Sequence, residues 1–240
     1  MNKHTYEQNQ QLNPITRFLH KQRYVQLTKV IKDLHKEINE PVKIIDVGCG
    51  VGEAYRVLET QKIPIDYVGV DNDNDKTSIA QKRYKKNANF KVLSGSIEQY
   101  FELVGEKHAL IGLESFEHIP EPIVTRLIET LPESDLQKIF ITVPNELGPI
   151  VAIKFLGMAI LGKRRGPHYS VQDIINATLF RLNALGPHSV THRGFDWRWL
   201  SHQLRQNCEI QQSIGMPFNI IPNHLSPSIA FVCKPRGAAD

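Results

Sequence analysis

The stretch from Ile44 to Glu53, IIDVGCGVGE, constrains the fold more than any other part of the sequence. Apolar residues run up to Val47, and glycines then stand at every second position, at Gly48, Gly50 and Gly52, before a helical pattern begins. This order predicts a strand, a tight turn and a helix. Glycines at such a turn adopt backbone conformations that other residues disfavour, and they let a ligand approach the main chain closely. We therefore expect a ligand to bind beside this turn.

The sequence around this turn alternates between strand and helix patterns. The predicted strands after the first are YVGVD (Tyr67 to Asp71), NFKVLSG, HALIGLE and KIFITVP. The predicted helices between them lie around Glu53–Thr60, Asp75–Lys86, Ile97–Val104 and Glu121–Thr130. Such alternation is typical of a parallel sheet with helices on both faces. An amphipathic helix from about Ile15 to Ile38 precedes the first strand.

The last third of the chain has a different pattern. It contains predicted helices at Ile150–Leu161, Val171–Leu185 and Asp196–Asn207, and then two strands, EIQQSIGMPF and SIAFVCK. Because these two strands are close in sequence, we expect an antiparallel hairpin at the edge of the sheet. The prediction is an α/β fold with a doubly wound, mostly parallel seven-stranded sheet, an N-terminal helix and a helical insertion before the last two strands.

Length and composition favour one domain. The 240 residues are 41% hydrophobic and 22% charged, which is ordinary for a globular chain with one sizeable core. Within a single domain of residues 1–240 we distinguish an N-terminal helical extension (1–40), a cofactor-binding core (43–145), a helical lid or substrate region (146–207) and terminal strands (208–240).

Cysteine usage and hydropathy indicate the compartment. Cys49, Cys208 and Cys233 are far apart and show neither a disulfide framework nor zinc-ligand spacing, which fits a reducing cytoplasm. The N-terminus lacks the apolar segment of a signal peptide, and no apolar run reaches the ~20 residues of a membrane span. The net charge of +4 is mild and suits solubility, phosphate binding or an anionic membrane surface.

The glycine turn and several candidate site residues lie at the predicted carboxyl ends of the strands. Asp71, Ser96, Glu114 and Pro144 all occupy such ends, and ligands of open α/β sheets bind there. Asp71 follows Gly48 by 23 residues, where a carboxylate accepts hydrogen bonds from both hydroxyls of a ribose. A nucleoside ligand is therefore predicted.

Two readings of the nucleoside site compete at this point. A nicotinamide oxidoreductase is typified by Gly-x-Gly-x-x-Gly, whereas this turn reads Gly-x-Gly-x-Gly. Asp46, two residues before the first glycine, suits a cationic ligand better than a pyrophosphate. A non-catalytic binding module is a further alternative, and it predicts loss of the cofactor residues.

The turn together with VGVD resembles the first two motifs of the class I S-adenosylmethionine-dependent methyltransferases, which have a Rossmann-like fold. LESFEHIPEP, from Leu113 to Pro122, is similar to the segment after the fourth strand in the ubiquinone-biosynthesis O-methyltransferases and related small-molecule methyltransferases. GSIEQ resembles the same group's stretch beside the adenine. The resemblance covers about Lys43 to Asn145.

The resemblance implies S-adenosylmethionine as the cofactor. The cofactor-binding residues that it implies are Asp46, Gly48, Cys49, Gly50, Gly52, Asp71, Asn72, Ser96, Ile97 and Glu114. Asp46 and the turn would surround the methionine part, Asp71 the ribose, and Ser96 with Ile97 the adenine. For Asp46, capping of the next turn is the alternative, and for Glu114 it is a solvated strand end.

The sequence departs from this family at two places. Ser96 stands where many members have Asp, and PESDLQK replaces a Pro-Gly-Gly turn before the fifth strand. The first departure implies that backbone or the Ser96 hydroxyl contacts the adenine. The second changes a loop and is not expected to remove the cofactor site.

Two histidines are the candidate catalytic residues for methyl transfer to a hydroxyl, since such a transfer benefits from a base with a near-neutral pKa. His118 follows Glu117 in the motif after the fourth strand. His192 lies in THRGFDWRWL, which resembles the Thr-His and aromatic pattern of the quinone-type enzymes. His168 is a weaker third candidate. A structural role is the alternative for each of them.

No metal site is predicted, because DNDND at Asp71–Asp75 lacks the glycine and distal glutamate of a calcium loop. Methylation of nucleic-acid bases is disfavoured, since ESFE replaces the Asn/Asp-Pro-Pro-aromatic motif that follows the fourth strand in those enzymes. We expect no nucleic-acid partner.

The segment from 150 to 166 indicates the acceptor. It is apolar up to Leu161 apart from Lys154 and Gly157, and three cations follow, Lys163, Arg164 and Arg165. The segment is either an interfacial helix at the inner face of a membrane or a buried lid over the pocket. Both readings favour an apolar or amphiphilic small-molecule acceptor, such as a lipid or a quinone precursor.

Overall fold

The computed structural model describes residues 14–160, 170–185 and 193–237. Its strands are β1 (Val42–Val47), β2 (Ile65–Asp71), β3 (Phe90–Ser94), β4 (Ala109–Leu113), β5 (Lys138–Pro144), β6 (Cys208–Met216) and β7 (Ser228–Pro235). Its helices are α1 (Pro14–Ile38), α2 (Glu53–Thr60), α3 (Asn74–Tyr84), α4 (Phe101–Val104), α5 (Glu121–Thr130), α6 (Pro149–Ile160), α7 (Val171–Thr178) and α8 (Trp197–Asn207). Short 3-10 turns cover Ile97–Tyr100, Phe116–His118, Leu131–Glu133, Leu182–Ala184 and Asn223–Leu225.

All seven strands form one sheet, in the order β3-β2-β1-β4-β5-β7-β6. The strands from β3 to β5 pair in parallel, and β7 runs antiparallel to both β5 and β6. The predicted seven-stranded, doubly wound sheet with a terminal antiparallel pair is therefore confirmed. The strand order reverses between β1 and β4, so a crevice opens beyond their carboxyl ends.

Apolar cores lie on both faces of this sheet. One core packs β4 and β5 against α5 and α8, with Phe116, Leu127 and Leu200 at its centre. The other packs β1 and β2 against α1 and α2, with Leu27 and Tyr55 among its buried side chains. Strands β1 and β2 are buried on both faces, which explains why their sequences are apolar almost throughout.

The prediction of one helix over Val171–Leu185 is wrong in its second half. Helix α7 ends at Thr178, because Phe180 adopts a left-handed conformation with φ +58°. The Phe180 ring lies against Gly148, where an added Cβ would come within 2.5 Å of it. This contact between distant segments overrides the local helical pattern.

Helix α6 is neither a fully buried lid nor a fully exposed helix. Ile150 and Val151 are buried against α7, whereas Ile153 and Leu156 are exposed to solvent. Among the described residues no helix has both the length and the apolar character needed to cross a membrane.

Candidate functional site

The turn after β1 is built from left-handed glycines. Gly48, Gly50 and Gly52 have φ angles of +78°, +55° and +78°, which residues with a side chain rarely adopt. The amides of Gly48 and Cys49 donate to the Val70 carbonyl oxygen at 2.8 and 3.1 Å. The turn is thereby tied to the end of β2.

Gly48 is also required by a close approach of the fourth strand. An added Cβ would lie 2.4 Å from the Cβ of Ser115, whose hydroxyl donates to the Val47 carbonyl oxygen at 2.6 Å. At Gly50 an added Cβ would meet only the Lys76 side chain, at 3.9 Å. The main chain is therefore packed on one side of the turn and open on the other.

Asp71 is held in place by the same turn. Its Oδ2 accepts from the Gly50 amide at 2.8 Å, and its Oδ1 accepts from the Asp73 amide at 2.9 Å. A carboxylate oxygen has two acceptor sites, so each oxygen retains capacity for one further donor. The carboxylate is therefore pre-oriented to bind hydroxyl groups.

A cleft of about 1350 Å³ opens at this end of the sheet. The predicted site residues that line it are Gly48, Cys49, Gly50, Asp71, Asn72, Ser96, Ile97, Glu114 and His118. Gly52 lies behind the turn, where an added Cβ would strike the Tyr84 ring at 2.7 Å. The folding of four strand ends onto one cleft thus brings together residues that are 70 positions apart in sequence.

Asp46 lies beneath the turn rather than in the wall of the cleft. Its carboxylate is 2% exposed and accepts a hydrogen bond from the Tyr67 hydroxyl, while Oδ1 has no hydrogen-bond partner within the described part of the chain. Burial raises the pKa of Asp46 to about 7, against the opposing effect of the Tyr67 hydrogen bond. Asp46 is therefore an ionisable group poised near neutral pH.

Helix α1 forms a wall of the cleft that the sequence did not predict. Its lining residues are His20, Lys21, Arg23, Tyr24, Val25 and Thr28. The sequence does carry one signal: Arg23 stands four residues before Leu27 and eight before Ile31, on the stripe that the helix buries. A cation on a buried stripe indicates an anionic partner.

Arg23 is 5% exposed, and its Nε has no hydrogen-bond partner among the residues that the structure describes. Its guanidinium lies 5.3 Å from the centre of the Tyr24 ring. Burial, followed by the charge of Arg23, lowers the pKa of His20 to about 4, so that this neighbour is neutral at physiological pH. Arg23 is consequently the buried cation of this wall.

Three glutamates lie together next to Arg23. Burial raises the pKa of Glu114 above its ordinary value, against the opposing effects of the Arg23 charge and of a 2.7 Å hydrogen bond from the Ser228 hydroxyl. Burial and then repulsion from Glu114 raise the pKa of Glu117 well above its ordinary value. Glu146 forms a 2.6 Å ion pair with Lys154 of α6. The end of β4, the end of β5 and α6 thus share one buried charged cluster.

His118 is the predicted base that the structure places at the cleft. Its side chain is partly exposed, and its Nε2 lies 3.8 Å from Oε1 of the buried Glu117. His192 and His168 lie outside the described residues, as do Lys163, Arg164 and Arg165. The structure therefore provides geometry for His118 alone among the histidines that were predicted to be functional.

Residues 44–133 match the family model described as a methyltransferase domain. A comparison with curated proteins found no match.

Solved structures of methyltransferases share the fold. The methyltransferase domain of bacterial CtHen1 is 17% identical over 92% of this chain and 100% of that chain, with a TM-score of 0.60. Magnesium protoporphyrin IX methyltransferase ChlM from Synechocystis PCC 6803, solved with bound SAH, is 15% identical over 94% and 89% of the two chains, with a TM-score of 0.55. The plantazolicin methyltransferase BamL, in complex with a triazolic desmethylPZN analog and SAH, is 15% identical over 89% and 85%, with a TM-score of 0.57.

Proposed function

We propose that this chain is a class I S-adenosylmethionine-dependent methyltransferase that methylates an oxygen atom of a small apolar or amphiphilic acceptor. Its residues 44–133 match the family model of a methyltransferase domain. The observation that carries the proposal is the single cleft that joins the glycine turn, Asp71 and His118. The methyltransferase match does not support the two alternatives, a nicotinamide oxidoreductase and a non-catalytic binding module. The identity of the acceptor and the choice of oxygen as the methylated atom are our proposals.

The residues of the cleft fit the cofactor chemically. S-adenosylmethionine, when bound, supplies a methyl group activated by a sulfonium charge. In this proposal Asp71 accepts hydrogen bonds from the ribose hydroxyls, with Asn72 beside it, and Ser96 and Ile97 contact the adenine. The open side of Gly50 leaves room for the ligand against the main chain. Arg23, which lines the cleft, would offer a cation to the carboxylate of the methionine end, and Asp46 beneath the turn would contribute negative charge near its ammonium group.

The charged groups around the methionine end favour a fixed orientation. Arg23 attracts a carboxylate, and Asp46 and Glu114 attract an ammonium group, so the amino acid part is held at both of its charges. Alignment of donor and acceptor is the main catalytic task of such a displacement, and positioning alone contributes up to roughly 7–11 kcal/mol.

His118 is our candidate for the general base. It would accept the proton of the acceptor hydroxyl, and the cofactor, when bound, would supply the methyl group. Glu117, at 3.8 Å, would stabilise the resulting imidazolium in its ionised form. His192 remains the second candidate base. We expect His118→Ala to lower kcat by about 10²-fold or more without weakening cofactor binding, and an unchanged kcat would transfer the role to His192.

The helical region 146–207 is proposed as the acceptor site. Leu147 and Val151 are buried in a small core beside the end of β5, and the partly exposed Phe155, Ile174 and Leu182 that pack against it would offer the acceptor an apolar surface. A prenylated quinone precursor fits such a surface, and so does another envelope lipid or a hydrophobic metabolite. The polar end of the acceptor would then face the cluster of Glu114, Glu117 and Glu146.

We also propose that the protein is cytoplasmic and acts at the inner face of a membrane. Segment 150–166 would contact the bilayer through α6 and through the cations Lys163, Arg164 and Arg165 that follow it in the sequence. Liposome co-sedimentation that is absent, or that is unaffected by Arg164→Ala with Arg165→Ala, would argue against this contact.

Isothermal titration tests the cofactor site directly. The purified protein is titrated with S-adenosylmethionine, S-adenosylhomocysteine and NADH, in wild type and in Asp71→Ala. Asp66→Ala is the matched control, because Asp66 lies on the same strand with an exposed side chain. We expect saturable binding of both sulfur nucleosides, weakened at least tenfold (~1.4 kcal/mol) by Asp71→Ala only. Binding of NADH alone, or equal effects of the two variants, would contradict the assignment.

A further inference from the structure

The surface of the chain concentrates its exposed large apolar side chains on one face. Of the twelve such side chains in the described residues, only Ile79 lies outside α1, α6, the α7 region and the loop 217–225. Ile220 is 87% exposed and Leu156 is 64% exposed. Scattered apolar residues are normal on a protein surface, whereas a contiguous set marks an interaction site.

Contacts between these segments join them into one band, which we call the apolar face. The rings of Phe18 and Phe218 lie 6.0 Å apart, which connects the start of α1 to the loop 217–225. The 3-10 turn of that loop contacts α6, and α6 packs on α7. Asn145 fixes the loop by donating to the carbonyl oxygens of Asn223 and Ser226 at 3.0 and 3.1 Å.

The apolar face borders the cofactor cleft. Phe18 lies two residues before His20, which lines the cleft. On the other side, Ser228 stands three residues after the loop and donates its hydroxyl to Glu114 at 2.7 Å. A ligand that leaves this face therefore has a short path to the methyl-transfer site.

Cations predominate around the apolar face. The described segments 14–32, 149–160 and 217–225 contain no Asp or Glu, and the first acid on this stripe of α1, Asp33, lies 3.8 Å from Lys36. Lys21 and Lys29 are exposed on the same stripe of α1 as Phe18 and Val25. On α7, the carboxylate of Asp173 is paired with Arg193 at 2.8 Å.

This charge pattern discriminates between the occupants of the face. A second copy of the chain would bring two cationic rims together, which is unfavourable. Exposed aliphatic and aromatic side chains with a predominantly cationic rim are complementary to an anionic lipid surface, where each cation contributes about 1 kcal/mol and apolar side chains enter the headgroup region.

We propose that the apolar face docks on an anionic lipid bilayer, with Leu156 and Ile220 inserted, and that it holds the mouth of the cleft against the membrane. This docking extends the membrane contact proposed above for segment 150–166, and it rests on the proposed function. It adds two surfaces that the sequence did not indicate, the loop 217–225 and the start of α1.

Vesicle co-sedimentation tests the proposal with the full chain. The vesicles are phosphatidylcholine alone or phosphatidylcholine with 30% phosphatidylglycerol. We expect binding to the anionic vesicles, reduced at least tenfold by the double variant Leu156→Ser with Ile220→Ser. Both side chains are mostly exposed, so the double variant loses little packing, and thermal melting checks its fold. Ile79→Ser is the matched control, since Ile79 is exposed on α3, outside the segments of this face, and should leave vesicle binding unchanged.

Three outcomes would overturn the proposal. The wild type binds neither vesicle, or the double variant binds as well as the wild type. In the third outcome, sedimentation equilibrium shows a dimer that the double variant dissociates, in the absence of vesicle binding. Titration of the wild type and the double variant with S-adenosylhomocysteine separates these failures from failure of the proposed function, because cofactor binding stays intact when only the docking inference is wrong.

Discussion

A single buried guanidinium explains why α1 belongs to the site. Removing the Arg23 charge from water costs several kcal/mol unless anions compensate it, and the glutamates beside it are themselves partly neutralised by their raised pKa values. An incoming carboxylate completes the compensation. Arg23 is therefore expected to bind the amino acid end of the cofactor and not its nucleoside.

Two thioethers that differ at this end make the test specific. S-adenosylhomocysteine carries the amino acid part, and methylthioadenosine lacks it. Arg23→Met should weaken binding of the former by tenfold or more in isothermal titration and leave the latter within about twofold. Arg56→Met is the control, because Arg56 also lines the cleft but is exposed and paired with Glu53. Equal weakening of both ligands would show that Arg23 only supports the shape of the cleft.

Asp46 links the site to pH. Its pKa is raised from 3.8 to about 7 in the folded state, chiefly by burial, so the folded chain binds this proton more tightly than the unfolded chain does. The stabilisation is complete below pH 4 and is lost as pH rises through 7. Asp46→Asn imitates the protonated form. We expect urea unfolding to show Asp46→Asn more stable than the wild type at pH 8, by as much as ~1.4 kcal/mol per pKa unit, and similar to it near pH 4.

The same carboxylate makes a second observation decisive. A cationic ligand favours ionised Asp46, so affinity for S-adenosylmethionine should rise as pH passes through 7 in the wild type and stay flat in Asp46→Asn. If the pH dependence of unfolding is identical in the two proteins, the stability effect belongs to another group, Glu114 or Glu117 being the nearest with raised pKa values.

Substitution by alanine is expected to change the free energy of unfolding in opposite directions at two glycines. Gly48→Ala forces an alanine to φ +78° and into the Ser115 side chain, so we expect a loss of about 1–3 kcal/mol in unfolding free energy together with weaker cofactor binding. Gly157 lies inside α6, with no atom within 4 Å of an added Cβ. Gly157→Ala should therefore stabilise the protein by about 0.5–1 kcal/mol. Parallel urea titrations check both, and a stabilising Gly48→Ala would contradict the described turn.

Local pattern was sufficient wherever one segment decides its own structure. Helices α2 and α5 and strand β5 occupy the ranges that periodicity predicts, because their apolar spacing and flanking glycines and prolines act within a few residues. Helix α7 ends seven residues earlier than predicted, since the contact of Phe180 with Gly148 spans 32 positions of sequence. The stretch Ile97–Val104 likewise divides into a 3-10 turn and one turn of α-helix.

The candidate site also has residues that local sequence predicts and residues that depend on contacts between distant segments. The glycine turn and Asp71 were predictable, because a strand end, its turn and the next strand are set by local sequence. The wall formed by α1 was not, since periodicity states only which stripe of a helix is buried and not what covers it. Arg23 on that stripe was the available signal. The cluster of Glu114, Glu117 and Glu146 required the sheet order, which brings the ends of β4 and β5 together.

The candidate cofactor cleft lies between α1 and the sheet, which are distant from each other in sequence. Helix α1 precedes the sheet, and it covers a cleft whose floor is formed by β1, β2 and β4. A ligand that contacts both should therefore restrict both, although they are distant in sequence. Hydrogen exchange followed by mass spectrometry reports such restriction at each amide.

We expect saturating S-adenosylhomocysteine to slow exchange in residues 20–28 of α1 and in the turn 48–52. The strand β6 should be unchanged, because it lies at the far edge of the sheet, and it provides the internal control. In Arg23→Met the turn should still be protected at saturating ligand, whereas α1 should not. Protection of the turn without protection of α1 in the wild type would mean that the helix covers the cleft without contacting the ligand, and Arg23 would then be a structural cation held by its glutamates.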